Sequence, residues 1–446
     1  QPSVNEDSSI VIVFNGEIYN FMELRAQLEA AGHTFATHSD TEVLIHGYEE
    51  WGSGLPAKLR GMFAFILWDK KNETLFGARD IFGIKPYYYY NEGGHFIFGS
   101  EIKGFLPHPG FKKELNEERL PEYLSIEYIP NEETMFKGVY KLPGAHMFTW
   151  KKGELKVERY YDIRYHVDES KSLEDWEKAI TETFAESVKV HQIADVEVGC
   201  FLSSGVDSSF VVNEVAKGTP RVKSFSVGYE EEKYSELPYA QAFSKEIGVP
   251  SIANKVSADE FFEANKTIQW YLDEPMPNPS EVPLYFLTKN AARYVKVVLS
   301  GEGADELFGG YPLYCAAHHF EEYEHKTPRF VRKAAGAVAG VLPDFKGRNF
   351  LMRGAKEPWQ RCMRANYVFA TPAERDKYLK KQYHKKTPEE FFKPYFDASA
   401  GLDEPTQLQW VDIHTWMLYD ILLKADRMSM ANSLELRVPF LDKEML

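Results

Sequence analysis

Residues 202–209 read LSSGVDSS and decide the fold, because they join an apolar run, Val196–Leu202, to a helical pattern, Ser208–Lys217. Small residues between a strand and a helix let backbone N–H groups close on a phosphate, and the helix dipole adds to the attraction. The Asp207 carboxylate cannot serve the phosphate directly, since two anions repel. It makes chemical sense with Mg²⁺ between them. An ordinary strand-to-helix turn is the alternative.

A second loop with similar chemistry lies almost a hundred residues later. Residues 300–306 read SGEGADE and follow the apolar run Tyr294–Leu299. The loop crowds Glu302, Asp305 and Glu306 among glycines, and like charges this close are destabilising unless a cation meets them. A solvated acidic turn is the alternative. Together the two loops predict a site that splits ATP between its α and β phosphates, as in ligases that activate a carboxylate as its adenylate.

The chain divides by pattern into two predicted domains, residues 1–160 and 173–446. The first shows short strands with two helices, Phe21–Ala31 and Thr41–Trp51, which predicts an α+β sandwich. The second alternates short strands with helices, which predicts an α/β domain with a doubly wound parallel sheet. Ser257 and Glu260 form a capping box for one helix. Residues 151–172 are interpreted as the link, and residues 311–412 as helical.

Composition excludes several classes of protein. The 446 residues carry a net charge of −15, which argues against a nucleic-acid partner. No apolar run approaches the ~20 residues that span a bilayer, so no membrane association is expected. The three cysteines, Cys200, Cys315 and Cys362, are widely spaced and predict a reducing, cytoplasmic location. The start at Gln1 and the helix-like segment 438–445 at the end predict a chain trimmed at both ends.

The second half resembles a known family of ligases. The 202–209 loop is similar to the pyrophosphatase loop of ATP pyrophosphatases, with Ser204 in place of a glycine. Residues 300–311, 424–430 and 437–442 resemble asparagine synthetases of the glutamine-hydrolysing kind. This resemblance implies an adenine nucleotide alpha hydrolase-like fold and a reaction in which aspartate forms β-aspartyl-AMP and ammonia then displaces AMP. It also implies ATP and Mg²⁺ as requirements.

The resemblance assigns roles by motif position. It implies that Asp207 and Asp305 hold Mg²⁺ and pyrophosphate, and that Glu302 serves intermediate formation and ammonia. The nucleotide contacts that we expect in the two loops and the strand between them are Leu202, Ser203, Ser204, Gly205, Asp207, Ser208, Val227, Ser300 and Gly301. For Val227, plain strand core is an equal alternative.

Other charged residues carry weaker hypotheses. The stiff loop at Asp273-Glu274-Pro275 is a candidate for positioning aspartate, with a rigid structural turn as an equal alternative. Lys424, Arg427 and Arg437 are candidates for the positive charge that pyrophosphate needs. A solvated helix face is the default interpretation of each.

The first half carries a separate candidate site. Asn15 and Gly16 follow an apolar run, and a side-chain amide beside a glycine N–H makes an oxyanion hole; a hairpin turn is the alternative. Residues 15–20, 39–42, 59–65 and 79–86 are similar to class II glutamine amidotransferases, which implies an Ntn-hydrolase-type αββα sandwich. By that resemblance Asp40 holds the α-amino group of glutamine, and Asn15, Gly16 and Glu17 contact the substrate.

One catalytic group of that family has no counterpart here. The family uses an N-terminal cysteine as nucleophile, with its own amine as base. The first cysteine of this sequence is Cys200, inside a predicted strand of the other half. We therefore expect binding residues for both reactions but not every catalytic group, and no glutamine hydrolysis by these 446 residues alone.

The leading hypothesis is a glutamine-dependent asparagine synthetase acting on glutamine, aspartate and ATP. One rival is a related adenylating ligase that forms a lactam or another amide and whose amidotransferase-like half is structural. A second rival is an inactive scaffold that only binds nucleotide. The oligomeric state is open, with a homodimer as one option.

Overall fold

Three sheets organise the residues that the computed structural model describes, which are 1–219, 221–361, 368–369 and 371–446. Two of them lie in the first 160 residues. Their strands are β1 Ser3–Val4, β2 Ile10–Ile18, β3 Gly61–Asp69, β4 Thr74–Arg79, β5 Tyr88–Glu92, β6 His95–Gly99, β7 Val139–Lys141, β8 His146–Lys151 and β9 Glu154–Arg159. The six-stranded sheet has the order β1-β2-β3-β4-β8-β9 and the three-stranded sheet the order β6-β5-β7, and all their pairings are antiparallel.

Alternation along β3 explains why these sheets are layered. Phe63, Phe65 and Leu67 face one core with helices α1 (Phe21–Ala30) and α2 (Asp40–Trp51). Ala64 and Ile66 face a second core with residues of the other sheet. Successive side chains of a strand point to opposite faces, so one strand serves both cores. A helix layer therefore covers one face of the large sheet and the small sheet covers the other, as the α+β prediction requires.

The third sheet is fully parallel. Its strands are β10 Val198–Phe201, β11 Ser224–Tyr229, β12 Ser251–Val256, β13 Val297–Leu299 and β14 Glu435–Arg437, in the order β12-β11-β10-β13-β14. The chain moves outward from β10 to β12 and then crosses to β13 on the opposite side. The topological switch point thus lies between β10 and β13, where ligands of doubly wound sheets bind.

Helices account for much of the remaining part of the chain that the structure describes. They are α3 Leu55–Lys58, α4 Leu120–Ile126, α5 Leu173–His191, α6 Val206–Gly218, α7 Leu237–Glu246, α8 Ala258–Leu272, α9 Glu281–Ala291, α10 Ala304–Phe308, α11 Pro312–Lys326, α12 Arg329–Val341, α13 Arg348–Gly354, α14 Pro358–Arg361, α15 Pro372–Arg375, α16 Pro388–Ala398, α17 Glu404–His414 and α18 Leu422–Met430. Ser257 and Glu260 form the predicted capping box of α8. Among the described helices, none is both long and apolar enough to cross a bilayer.

The chain forms two compact units. The first contains residues 1–114, 132–303 and 421–446, and so holds all three sheets. The second contains residues 115–131 and 304–420 and is helical, as predicted for most of that region. Within it, the Tyr314 hydroxyl donates to Asp412 at 2.6 Å, and the buried Arg361 guanidinium binds Glu404 through two nitrogens. Cys362 lies outside the described residues.

Three sequence predictions differ from the structure. The strand predicted to end at Phe14 runs on to Ile18, so Asn15 and Gly16 lie inside β2. Residues 154–159 of the predicted link form the edge strand β9, because they pair in register with β8. The segment at 438–445, predicted to begin a helix, makes two short 3₁₀ turns, Pro439–Leu441 and Lys443–Met445.

Candidate functional site

The first nucleotide loop begins where β10 ends and α6 begins. Leu202 is buried, whereas Ser203, Ser204 and Gly205 are exposed, so the loop presents its backbone to solvent beyond the sheet edge. Gly205 precedes the first helical residue with an extended conformation and no side-chain cap. The first N–H groups of α6 therefore point outward with the helix dipole behind them, as an anion site requires.

Serine hydroxyls hold this loop in shape. Ser203 and Ser208 share a hydrogen bond of 2.9 Å between their hydroxyls, and the Ser203 N–H donates to Ser208 Oγ at 3.0 Å. The Gly205 N–H donates to Ser203 Oγ at 3.0 Å, and the Ser204 N–H donates to the Glu236 carboxylate at 3.2 Å. Glu236 has no motif signal in the sequence and was not predicted.

The second nucleotide loop follows β13 and packs on the first. Cys200 of β10 pairs with Leu299 of β13, so the two loops leave the sheet side by side at the switch point. A Cβ added at Gly301 would lie 3.0 Å from Asp207 Cβ and 3.0 Å from the Ser208 backbone nitrogen. A side chain here would therefore push the two loops slightly apart, and glycine lets them touch without displacement. The structure thus brings together Asp207, Ser208 and Gly301 as the sequence predicts.

Leu202 and Val227, the residues predicted to contact adenine, lie directly after β10 and within β11, which are neighbouring strands of the sheet. The Leu202 N–H donates to Phe225 O at 2.9 Å, and the Ser226 hydroxyl donates to Leu202 O at 2.7 Å. These bonds fix Leu202 beside β11, one residue from Val227. Val227 is half-buried while its neighbours Ser226 and Gly228 are buried, so its side chain keeps an accessible surface at the strand end. Contact with adenine stays a prediction for Val227, as does the alternative that it is plain strand core.

Asp305 and Glu306 begin the helical unit, in the first turn of α10. Glu306 is buried and accepts a hydrogen bond of 2.8 Å from the Tyr311 hydroxyl. A Cβ on Gly310 would lie 2.0 Å from an Asp305 carboxylate oxygen. The absence of a side chain at Gly310 therefore makes room for the Asp305 carboxylate. Glu306 therefore supports the loop, and Asp305 is half-buried at its turn.

The candidate glutamine site is built on β2 and the start of α2. Gly16 has φ +144°, and an added Cβ would lie 2.0 Å from the carbonyl oxygen of Met62 on β3, so only glycine fits there. The Asn15 side-chain amide donates to Ser100 Oγ at 3.1 Å. Asp40 accepts the Ile18 N–H at 3.0 Å, which brings its carboxylate to the same strand. The hairpin-turn alternative is excluded.

Burial shifts the protonation equilibrium of Asp40 in this site. Desolvation raises the pKa of Asp40 above its ordinary value, although the N–H groups of Ile18 and Thr41 oppose the shift. A bound ammonium would favour the ionised form again, because opposite charges at close range lower a carboxyl pKa. Asp40 is thus suited to an amino group rather than to a second carboxylate.

Glu17 connects β2, the strand of the candidate glutamine site, to the parallel sheet. Its carboxylate lies 3.4 Å from a guanidinium nitrogen of the buried Arg437. Burial and the neighbouring Glu435 raise the pKa of Glu17 to about 7, against the opposing effect of Arg437. Arg437 ends β14, and its carbonyl accepts the N–H of Ser300, the first residue of the second nucleotide loop, at 2.9 Å. One arginine therefore contacts both candidate sites.

This position removes Arg437 from the candidates for binding pyrophosphate. Its Nη1 donates to the carbonyls of His191 and Ile193 at 2.8 and 2.6 Å, and its Nε donates to Glu435 at 2.6 Å. The donors of this guanidinium are therefore used in contacts with other parts of the protein. Lys424 is buried too and donates to Ser280 Oγ at 3.0 Å, so neither residue lies on a solvated helix face.

Arg427 is buried with its charge incompletely matched. Its Nη1 and Nη2 lie 3.4 Å from Glu101 and 3.6 Å from Asp273, and its guanidinium stands over the Tyr88 ring. Nε and Nη2 have no hydrogen-bond partner within the described residues. The solvated-face interpretation is therefore wrong for Arg427 as well.

The Asp273-Glu274 loop binds the first 160 residues of the chain. Asp273 accepts the N–H of Ile102 at 2.7 Å and the Lys103 ammonium at 3.0 Å. Glu274 is buried and accepts the N–H of Met135 at 2.7 Å. Both carboxylates are thus engaged as structural acceptors, which favours the rigid-turn interpretation over a direct contact with aspartate.

Two motifs far apart in sequence meet at another ion pair. The Arg60 guanidinium binds both oxygens of Asp442, whose side chain is fully buried, at 2.6–2.9 Å, and also binds Glu186. Arg79 of the 79–86 motif donates instead to three backbone carbonyls, Gly83, Lys85 and Leu142. That motif therefore shapes its own loop. Sequence alone gave no signal for the Arg60–Asp442 or Glu17–Arg437 partnerships.

Family models match both parts of the chain. A model described as asparagine synthase matches residues 179–446, and one described as glutamine amidotransferase domain matches residues 1–161. The first covers more than half of the 446 residues.

Individual relatives agree with these matches. The chain is 40% identical over 449 residues to glutamine-hydrolyzing asparagine synthetase 1 of Bacillus subtilis, covering 99% of this chain and 70% of that protein. It is 31% identical to glutamine-hydrolyzing asparagine synthetase 3 of the same organism, covering 98% and 68%. It is 28% identical to amidase chry2 of Gibberella zeae, covering 99% and 70%.

Proposed function

This chain belongs to the family of glutamine-hydrolysing asparagine synthetases, C–N ligases that use glutamine as amide donor, and we propose that its two loops carry the synthetase step of that reaction. The observation that carries the proposal is the contact of Gly301 with Asp207 and Ser208 at the switch point of the parallel sheet. It joins a phosphate-binding helix start to a second glycine-rich, acidic loop.

In the proposed reaction, the side-chain carboxylate of aspartate attacks the α phosphorus of ATP, and pyrophosphate leaves. Ammonia then attacks the acyl carbon of β-aspartyl-AMP, loses a proton and expels AMP. The N–H groups at the start of α6 hold the phosphates, and Leu202 and Val227 contact the adenine. The half-buried Glu302 follows Gly301 directly, which suits a carboxylate that guides ammonia or takes its proton.

Mg²⁺ belongs to this proposal as the cation of Asp207 and Asp305. Both are carboxylates in the first turn of a helix, and hard oxygen donors suit Mg²⁺. When bound, Mg²⁺ would neutralise charge on the departing pyrophosphate. The serine hydroxyls of the first loop orient the β and γ phosphates.

In the other half, we assign glutamine binding to β2 and α2. Asp40 holds the α-amino group, and the Asn15 amide with the Gly16 N–H faces the oxygen of the tetrahedral intermediate. Glu17 belongs to the same assignment, and its side chain lies 3.4 Å from a guanidinium nitrogen of Arg437.

The metal assignment is tested by Asp305→Asn. Aspartate-dependent exchange of labelled pyrophosphate into ATP should fall ~10²-fold or more, because metal stabilisation of developing charge is worth several kcal/mol. Asp259→Asn, an exposed first-turn aspartate of α8, is the matched control and should exchange normally. Normal exchange in a folded Asp305→Asn protein would refute the assignment.

Glu302→Ala tests the role of the second loop. We expect it to lose aspartate-dependent pyrophosphate release, with ammonia or glutamine as donor, while it still binds Mg-ATP and leaves glutamine hydrolysis unchanged in a protein that has it. Equal loss of nucleotide binding and pyrophosphate release would show that Glu302 only supports the loop.

A further inference from the structure

Three metal-binding side chains converge beside α1 and α2, away from both candidate sites. One ring nitrogen each from His33 and His46 and one oxygen from Glu49 lie within 4.8 Å of one another. Glu49 Oε2 lies 3.0 Å from His46 Nδ1 and 3.7 Å from His33 Nδ1. His46 and Glu49 share one face of α2 at i, i+3 spacing, and His33 lies in the loop that joins α1 to α2.

The outward nitrogen of each histidine has a carboxylate of its own. His33 Nε2 lies 3.3 Å from Glu50 Oε2, and His46 Nε2 lies 3.6 Å from Glu42 Oε1. Metal-ligating histidines commonly donate their second N–H to a carboxylate, which fixes the ring and turns the other nitrogen toward the metal. The His33–Glu50 contact is within hydrogen-bond distance and holds the His33 ring in this way, whereas Glu42 is near His46 Nε2 without a hydrogen bond to it.

The carboxylate of Glu49 is held in the same manner. Its Oε1 accepts a hydrogen bond of 2.8 Å from the Asn5 side-chain amide, and Asn5 is buried. The other oxygen, Oε2, is left facing the two imidazoles. His46 Nδ1 shares a hydrogen bond of 3.0 Å with this oxygen. A cation among the three atoms would replace the shared proton and take both imidazole nitrogens and the carboxylate oxygen as ligands.

We propose that His33, His46 and Glu49 bind a divalent transition-metal ion of the Zn²⁺ class. Two imidazole nitrogens and one carboxylate oxygen suit Zn²⁺, Co²⁺ or Ni²⁺, whereas Mg²⁺ prefers an all-oxygen set. With three protein ligands a fourth position is open to water. His46 is buried and His33 is partly exposed, so the ion enters from the His33 side.

Metal binding at this site would also affect the amidotransferase half, because His33 lies in the loop that leads to the start of α2. The loop from His33 ends at Ser39, the N-cap of α2, and Asp40 is the first helical residue. The Thr37 N–H already donates to Glu42 at 2.7 Å, so one end of the loop is tied to α2. A metal bond to His33 would tie the other end. Metal binding would then rigidify the segment that presents Asp40, an effect that rests on the proposed role of Asp40.

Calorimetric titration of the purified 446-residue chain with ZnCl₂, in excess Mg²⁺ and without nucleotide, tests the proposal. We expect a single strong site in the wild-type protein. His33→Ala and Glu49→Gln should each weaken Zn²⁺ binding ~10-fold or more. His38→Ala removes an exposed histidine of the same loop and should leave the affinity unchanged. The first two substitutions touch partly exposed side chains, and thermal melts without Zn²⁺ check that the variants fold.

A second measurement separates coordination from adventitious binding. Co²⁺ held by two nitrogens and a carboxylate should give visible d–d absorption that Zn²⁺ displaces and that His33→Ala abolishes. Amide hydrogen exchange of residues 33–38 should slow when Zn²⁺ is added. Equal Zn²⁺ affinity in wild type and His33→Ala, or binding that His38→Ala removes, would overturn the proposal. These outcomes do not depend on the synthetase activity, so the two proposals can fail separately.

Discussion

Replacing Gly301 by alanine should separate the two nucleotide loops without unfolding the protein. The new Cβ would lie 3.0 Å from Asp207 Cβ and 3.0 Å from the Ser208 nitrogen, and both neighbours belong to the first turn of α6. A Cβ contact of 3.0 Å is tighter than nine in ten of those that proteins show, so one loop must give way by a few tenths of an ångström. Gly301 does not have a positive φ, so the whole effect is steric rather than backbone strain.

The retreat has a definite expected size in nucleotide affinity. If it removes one charge-assisted hydrogen bond to phosphate, the loss is ~1.5–3 kcal/mol. At ~1.4 kcal/mol per factor of ten, Mg-ATP binding weakens ~10- to 100-fold. The pyrophosphate exchange rate should fall at least as much, because a misplacement of ~1 Å in a reacting group can cost ~10²-fold.

Calorimetry of Mg-ATP binding measures this directly on the purified chain. Gly218→Ala is the matched control, because Gly218 ends the same helix and an added Cβ there meets nothing within 4 Å. It should bind Mg-ATP like the wild type. Thermal unfolding of both variants should stay within a few degrees of the wild type, since the Gly301 loop is only partly buried.

An unchanged affinity in Gly301→Ala would refute the reasoning. It would mean that the contact between the loops does not shape the phosphate site, and that Asp207 acts independently of the second loop. Loss of binding together with gross unfolding would instead show that this glycine serves the packing of the sheet.

Two further predictions concern charge in the interior. Folding raises the pKa of Glu17 to about 7 from 4.5, so the folded protein keeps a proton that the unfolded chain releases. The contribution of this bound proton to the free energy of unfolding is therefore complete below about pH 4.5 and is lost as the pH rises through about 7. Over that interval, the thermal midpoint of the wild type should fall more steeply than that of Glu17→Gln. Arg60→Met leaves the fully buried Asp442 carboxylate without its partner and should cost ~3–5 kcal/mol in urea unfolding. Glu186→Gln, which changes the half-exposed partner of Arg60, should cost ~1 kcal/mol or less, and equal losses in both variants would contradict the difference in burial.

The nucleotide loops could be predicted from sequence because their signal is local. Glycine, serine and aspartate after a short apolar run predict a strand, a phosphate loop and a helix, and β10 and α6 form as expected. The parallel order of the sheet places the loops together without any further information. The packing of Gly301 on Asp207 is the geometric consequence of that topology.

The boundaries and partners of the other motifs could not be predicted in the same way. Asn15 and Gly16 look like the end of a strand, yet β2 continues to Ile18 because β3 offers a pairing partner along its whole length. The two oxygens of the Asp273 carboxylate accept the backbone N–H groups of Ile102 and Lys103, some 170 positions earlier in the chain. No local pattern encodes such a contact, since it depends on how sheets and helices finally pack.

The charged contacts between the two family-matched segments share a physical logic. Arg60–Asp442 and the 3.3 Å pair of Lys85 with Asp426 each join a residue of the first segment to a buried residue of the second. Buried ion pairs add little stability over apolar residues of the same volume, because desolvation offsets the attraction. They differ in geometry, because an apolar contact is non-directional whereas a hydrogen-bonded ion pair needs its donor and acceptor at a defined distance and angle. We infer that these pairs fix the position of residues 60 and 85 against residues 442 and 426, and so hold the two family-matched segments in one arrangement.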